Sequence, residues 1–342
     1  MTSLIGDAPV DGVDVAALLG IPISAEQERA VQAPLKPCAV IAGAGTGKTT
    51  VMAARVVWLV ASRLVSPEEI LGLTFTNKAT AELSERIESN LTRVGLLTSE
   101  QPRPTVATYD SFAGTLVNDY GAWDGINTGA HLITAARAYQ LAAEVIMGLN
   151  KAPLAATHMG PTFIAQAVVK LAGAMASHDA SPGKVRRADA RWRQMLLDAP
   201  TKRGGDRYAD IDKWLSRVDE REELLDLVAA YQNLKKERGL VEFGDRMVQA
   251  LHLVTHHPRV GEELRARYRV VLLDEYQDTS SAQADVLAAL FSGPDSAHGM
   301  GHPVMAVGDP LQAIYEWRGA AASNILEFHR RFPNKEGTPA QV

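Results

Sequence analysis

The chain has 342 residues, enough for two or three domains with a large buried core. Its 35 Lys and Arg against 40 Asp and Glu give a net charge of −5, which excludes a wholesale polycation but leaves room for a local basic groove. Hydrophobic residues at 46% and charged residues at 22% exclude disorder as a class, and the single cysteine, Cys38, excludes an intrachain disulfide or a thiolate zinc cluster.

Residues 1–22 read as a Gly/Pro-punctuated lead-in with one short apolar stretch at 15–19. Its start has no basic segment followed by an apolar one, so no secretory signal is expected. Ser24 and Gln27 stand at the spacing of a capping box, opening a helix that ends near Pro34. Residues 38–42 form an apolar run stopped by glycines, the pattern of a buried parallel strand. Residues 48–64 repeat at helical spacing; their most apolar part, 51–61, contains Arg55 and is too short to span a bilayer. A cytoplasmic protein with no membrane partner is expected. A second strand at 70–75, a helix at 79–91 and a third strand at 106–108 continue an α/β alternation.

From 116 to 238 the pattern changes to long Ala/Leu-rich helical stretches, at 134–149, 161–176 and 219–238, with no strand of comparable strength. Residues 270–273 and 303–307 then resume the buried-strand pattern. The expected fold is α/β with a parallel sheet, interrupted by an inserted all-helical domain.

Two motifs carry chemistry. Ala42, Gly43, Ala44, Gly45, Thr46, Gly47, Lys48 and Thr49 follow a strand and open a helix, with Ala42 at the usually glycine first position of a phosphate-binding loop. The glycines let backbone N–H groups turn inward around phosphate oxygens. Lys48 supplies a point charge to the β- and γ-phosphates, and the Thr49 hydroxyl ligates Mg²⁺. The apolar run 270–273 ends in Asp274 and Glu275, at a carboxyl strand end where ligands sit in open α/β sheets. Asp274 would hold Mg²⁺, and Glu275 would orient and deprotonate the attacking water. Adjacent carboxylates favour a cation between them. Asp274 lies 226 residues beyond Lys48, so the helical stretch is inserted within one ATP-binding domain whose two crossings lie close together.

Six blocks in order resemble the UvrD/Rep/PcrA-type superfamily 1 DNA helicases. They are Gln27; the loop through Thr50; the segment Thr74-Phe75-Thr76-Asn77-Lys78-Ala79-Thr80; the segment Ala107-Thr108-Tyr109-Asp110-Ser111-Phe112; the segment Leu273-Asp274-Glu275-Tyr276-Gln277-Asp278-Thr279; and the run from Val307 to Ala320 containing Gln312, Tyr315, Trp317 and Arg318. The wording of 52–61 looks most like actinobacterial relatives, among them AdnB-type helicase–nuclease subunits.

The resemblance implies a RecA-like P-loop NTPase domain over 1–115 and 239–342, with the accessory helical domain at 116–238. It implies ATP and Mg²⁺ as cofactors, Gln27 reading the adenine edge, Thr50 completing the nucleotide side, and Gln312 sensing the γ-phosphate and linking it to DNA grip. Phe75, Tyr315 and Trp317 resemble stacking surfaces for unpaired bases, while Thr76, Asn77, Ser111 and Arg318 resemble contacts to the sugar-phosphate strand. The implied function is 3′→5′ helicase or translocase activity in DNA repair or recombination, on single-stranded DNA and single-strand/duplex junctions. The alternative is a DNA- and nucleotide-binding scaffold subunit that does not turn over. Because the family continues with a second RecA-like domain, that domain is expected either in cis or from a partner subunit, and these residues alone are not expected to unwind DNA. Asp110 (often His), Pro310-Leu311 (often acidic) and Thr50 (often Arg) depart from the pattern without touching the proposed metal or base.

Two further features stay open on the residues alone. Between Lys184 and Arg207 eight basic residues stand against three acidic ones, beside Trp192 and Tyr208; this is either a nucleic-acid patch or a solvated loop. His252 and His256 fall at helical spacing with His257 beside them, and without further ligands they read as surface or capping histidines.

Overall fold

The computed structural model describes residues 12–153, 158–202, 205–314 and 321–342. In chain order, α1 (Val15–Leu19) is capped by Asp14, and the expected Ser24–Gln27 capping box opens α2 (Ala25–Val31). Strand β1 (Cys38–Ile41) leads across the glycine loop into α3 (Lys48–Ala61). Next come β2 (Ile70–Thr74), α4 (Asn77–Arg93), β3 (Thr105–Thr108) and α5 (Tyr109–Tyr120). The helical stretch contains β4 (His131–Leu132), α6 (Ala135–Met147), α7 (Pro161–Ser177), α8 (Pro182–Leu197), α9 (Ala209–Glu237) and β5 (Leu240–Val241). The chain returns through α10 (Phe243–His256) to α11 (Pro258–Arg267), β6 (Val270–Leu273), α12 (Ser281–Phe291), β7 (Val304–Gly308), α13 (Ser323–Leu326) and α14 (Phe328–Arg331).

Two compact units result: the residues up to Asp124 together with Gln249–Val342, and Gly125–Val248. The first is built on a five-stranded sheet in the order β1-β7-β6-β2-β3, with every neighbouring pair parallel. Strands β2, β6 and β7 are buried at every residue, as a parallel sheet covered on both faces requires. Val270, Leu272, Met305 and Val307 share one core cluster with Val56 and Val57 of α3 and Leu83 and Ile87 of α4. The intervening Val271, Leu273 and Ala306 are buried on the opposite face, following the period of two. Because all five strands run the same way, their carboxyl ends form one edge, where the ends of β1, β7 and β6 are neighbours. Helix α5 contacts β2 and β3, which keeps residues 109–120 with this unit although the composition changes near 116.

Arg55 fixes α2 on this unit. Its side chain is 1% exposed and has no carboxylate partner among the described residues. Instead Nη1 donates to the carbonyls of Ala30, Val31 and Ala33, and Nη2 to that of Pro34, closing the carboxyl end of the helix that carries Gln27.

In the second unit, Ala138 and Leu141 of α6, Ile164 and Val168 of α7, and Leu225 and Val228 of α9 pack into a separate core. The two-residue strands β4 and β5 pair in parallel, a feature too short to show in sequence. The basic run resolves differently from a free patch. Its first part is helix α8, whose Arg186 pairs with Glu222 (2.5 Å) and Asp226 (2.6 Å) on α9, while Arg193 pairs with Asp219. Asp189 reciprocates with Arg221 of α9, Lys184 pairs with Asp179 at 3.2 Å, and Arg207 with Asp212 at 3.2 Å. Two of the eight basic residues, Arg186 and Arg193, therefore join α8 to α9; Arg203 lies outside the described residues.

Replacing Arg55 by Ala orphans carbonyls at the end of α2 and empties a buried site. The expected cost is about 2–4 kcal/mol of unfolding free energy, measured by denaturant or thermal melting.

Candidate nucleotide and strand site

The carboxyl edge of the sheet gathers the candidate residues. After β1, Ala42 N–H donates to the Gly308 carbonyl (3.0 Å), tying the loop to β7. Gly45 and Gly47 hold φ of +74° and +82°, the left-handed region that glycine enters without strain. Thr46 Oγ1 donates to the Gly43 carbonyl (2.8 Å), closing the loop on itself. No side chain caps α3, which leaves its first amides open to an anion. Ala44, Gly45 and Thr46 are exposed; Ala42, Gly43, Gly47, Lys48, Thr49 and Thr50 are half-buried.

Gln27 holds both ends of its amide. Oε1 accepts from Ser24 N–H (2.9 Å) and Nε2 donates to the Thr46 carbonyl (2.9 Å), so the capping residue of α2 also pins the loop. Arg86 of α4 donates to Thr50 Oγ1 at 2.8 Å, bringing a second cation beside the loop. Sequence spacing gave no sign of Arg86, since the pairing crosses from one helix to another.

The end of β6 supplies the carboxylates. Asp274 is 4% exposed, and its Oδ1 has no hydrogen-bond partner among the described residues. Burial, reinforced by Glu275, pushes its carboxyl up to about 6, against a backbone hydrogen bond and Lys48, which pull it down. Tyr109 donates its hydroxyl to the Asp274 backbone carbonyl (2.9 Å), fixing the strand end from below. Glu275 follows in the left-handed region at φ +45°, and its Oε2 pairs with Lys48 Nζ at 3.1 Å. The phosphate-loop lysine and the carboxylate expected to act as base are thus brought together.

At the end of β7, Gln312 Nε2 donates to Asp309 Oδ2, and this bond, with that from Leu311 N–H, holds the Asp309 carboxyl below its usual range. A Cβ at Gly43 would stand 3.8 Å from Asp309 Oδ2, so the loop and the Gln312 segment are neighbours. An Asp carboxylate with an unpartnered buried oxygen, a Thr hydroxyl at the start of α3 and adjoining phosphate oxygens make a hard, all-oxygen donor set that fits Mg²⁺.

The strand-side residues occupy the other half of the same edge. Phe75 is half-buried just past β2; Thr76 and Asn77 are exposed, Thr76 also capping α4; Ser111 is exposed in the first turn of α5 after β3. Four strand spacings separate β1 from β3, roughly 19 Å. Tyr315, Trp317 and Arg318 lie outside the described residues. The departure Asp110 accepts from Gln283 Nε2 (2.9 Å) of α12, a structural contact. His252 pairs with Asp124, which His257 also approaches at 3.4 Å, and His256 stacks on His252. Among the described residues no group of three or more His, Cys, Asp or Glu side chains could hold a metal ion. Nor does any described helix have the length and apolarity to cross a membrane.

The Asp274 value sets a stability test. Its folded value, about 6, exceeds the ordinary aspartate value of 3.8, so the folded chain binds this proton more tightly and stability falls as pH rises from about 4 to 6. Asp274→Asn should remove that fall. The nucleotide-free variant should gain about 2–3 kcal/mol at pH 8, and roughly half of that at pH 5, measured by denaturant melts at both values.

Residues 23–333 match the UvrD/REP helicase N-terminal domain family. The chain is 29% identical over 313 residues to DNA helicase II of Rickettsia typhi, covering 91% of this chain and 40% of that protein. It is 29% identical to ATP-dependent DNA helicase UvrD1 of Mycobacterium tuberculosis H37Rv (96% of this chain, 38% of that one). It is 28% identical to DNA helicase II of Escherichia coli K12 (95% and 38%). The chain spans about 40% of the length of these relatives. With its parallel five-stranded sheet and this match over nearly its whole length, the chain belongs to the UvrD/REP helicase N-terminal domain family.

Proposed function

We propose that the chain is the ATP-binding portion of an ATP-dependent DNA helicase or translocase. It acts 3′→5′ on single-stranded DNA and single-strand/duplex junctions in DNA repair or recombination, in the cytoplasm. The observation that carries this reading is the meeting of Lys48 and Glu275 beside the buried, unpartnered Asp274 oxygen, in a chain of this family. The second compact unit serves as the inserted accessory domain. A second RecA-like domain, in cis or from a partner subunit, completes the cleft.

Lys48 Nζ lies 3.1 Å from Glu275 Oε2. A triphosphate in the loop draws Lys48 to its β- and γ-oxygens, which frees the Glu275 carboxylate to orient a water and take its proton. Thr49 and Asp274 would hold Mg²⁺, which would supply positive charge against the phosphate oxygens. Gln27 meets the adenine edge by giving up the Thr46 carbonyl or the Ser24 amide. Gln312, released from Asp309, answers to the γ-phosphate and passes the nucleotide state to the strand face. There Phe75, with Tyr315 and Trp317, stacks bases, while Thr76, Asn77, Ser111 and Arg318 hold the backbone. Stacking is sequence-tolerant, which a motor moving along any sequence requires.

The test is ATP hydrolysis by the intact gene product with and without single-stranded DNA. Strong stimulation is expected; nucleotide and DNA binding without turnover would instead support a scaffold subunit. Lys48→Ala should abolish hydrolysis while the chain stays folded. Glu275→Gln should retain ATP binding and lower kcat by about 10²–10⁴-fold, and unchanged turnover would remove Glu275 as the base. Phe75→Ala should weaken oligonucleotide binding by about 1–3 kcal/mol in equilibrium titrations and leave ATP affinity unchanged.

A further inference from the structure

One buried side chain at this edge has no part in the chemistry above and yet touches both strand ends that do. Gln277 follows β6 in a single tight turn (Tyr276–Asp278), and its side chain is 1% exposed. Its Nε2 donates to Glu275 Oε2 at 2.8 Å, and its Oε1 accepts from the backbone N–H of Asp309 at 3.0 Å. The orientation of the amide is forced, because a backbone N–H only donates and an ionised carboxylate only accepts. Nε2 also approaches Asp278 Oδ2 at 3.5 Å.

The backbone around it is shaped to fit. A Cβ at Gly308 would lie 2.1 Å from Gln277 Oε1 and 2.7 Å from Ile325 Cδ1, so the amide occupies the space that any other residue at 308 would fill. Glu275 sits at φ +45° and ψ +46°, a conformation that costs a non-glycine residue about 1–2 kcal/mol. Such a residue persists only where its surroundings hold it. The holding bonds are Asp278 N–H to the Glu275 carbonyl (2.9 Å) and the Gln277 amide on the side chain.

We infer that Gln277 is a positioning residue: it fixes the Glu275 carboxylate once Lys48 has moved to phosphate, and it ties that carboxylate to the Asp309–Gln312 segment. This rests on Glu275 being the base, as proposed above. Lys48 and Gln277 share the same oxygen of Glu275, Oε2. A triphosphate removes one of the two, and among the described residues Gln277 is then the side-chain partner that keeps the carboxylate aimed. Through Asp309, whose carboxylate holds Gln312, the same amide makes the position of the base depend on the segment expected to sense γ-phosphate.

Two variants separate the bonds. Gln277→Glu is near-isosteric and keeps an acceptor for Asp309 N–H but sets a carboxylate against Glu275. Gln277→Met loses both bonds. In DNA-stimulated hydrolysis by the intact gene product, each should lower kcat by about 10–100-fold with the KM for ATP within about twofold of wild type. In a Glu275→Gln background neither should lower kcat further, because residues acting as one unit are non-additive. Gln277→Met, which places no charge in the buried site, should still melt cooperatively and bind ATP, so that its loss of turnover is separable from loss of the fold. Wild-type turnover in Gln277→Glu, or a loss that adds fully to that of Glu275→Gln, would overturn the positioning role. If Glu275→Gln itself turns over normally, the base assignment fails first and this inference falls with it.

Discussion

The Asp274 carboxylate is buried at a strand end with one oxygen that nothing in the described chain satisfies. A carboxylate in that position is costly unless a cation or a proton joins it. The nearby lysine does not fill the role: Lys48 pairs with Glu275, one residue along. Much of the local architecture follows from keeping this arrangement open. Helix α3 begins at Gly47 without a side-chain cap, Glu275 takes a strained backbone, and Tyr109 braces the Asp274 carbonyl and not its carboxylate. Binding a divalent cation with phosphate would relieve the burial cost, so the ligand-free site is prepared for charge it does not itself contain.

Strand order makes this possible. In β1-β7-β6-β2-β3 the two strands formed latest in the chain lie between β1 and β2, so the loop after β1, the Asp309 segment after β7 and the acidic pair after β6 share one edge. The segments after β2 and β3 continue that edge away from the loop. Short side-chain contacts link the ends of β1, β6 and β7. Lys48 touches Glu275, Glu275 touches Gln277, Gln277 reaches Asp309, and Asp309 holds Gln312. Each link is a single hydrogen bond or ion pair, so a change at the phosphates has a direct route across the strand ends.

The fold was largely legible because its signals are local. Apolar runs bounded by glycine or acids marked β1, β6 and β7, and the Ser24–Gln27 capping box depends only on spacing along one helix. The phosphate loop and the acidic pair were legible for the same reason. What escaped depends on partners distant in sequence. Gln277 meets Asp309, Arg86 meets Thr50, and Arg55 meets carbonyls beyond α2, pairings that no periodicity encodes. The basic run, open between a patch and a solvated loop on its residues alone, likewise has partners distant in sequence: Glu222, Asp226 and Asp219 on α9 pair with Arg186 and Arg193. Strands β4 and β5, at two residues each, are too short for alternation to register.

The most direct measurement of the central claim is a crystal structure of this protein with Mg²⁺ and a non-hydrolysable ATP analogue. The account predicts the γ-phosphate in the glycine loop, the metal between Thr49 and Asp274, and Lys48 Nζ on phosphate oxygen, no longer 3.1 Å from Glu275. Glu275 should still be held by Gln277. A nucleotide bound elsewhere, or one bound in the loop with the Lys48–Glu275 pair intact and no metal at Asp274, would contradict it.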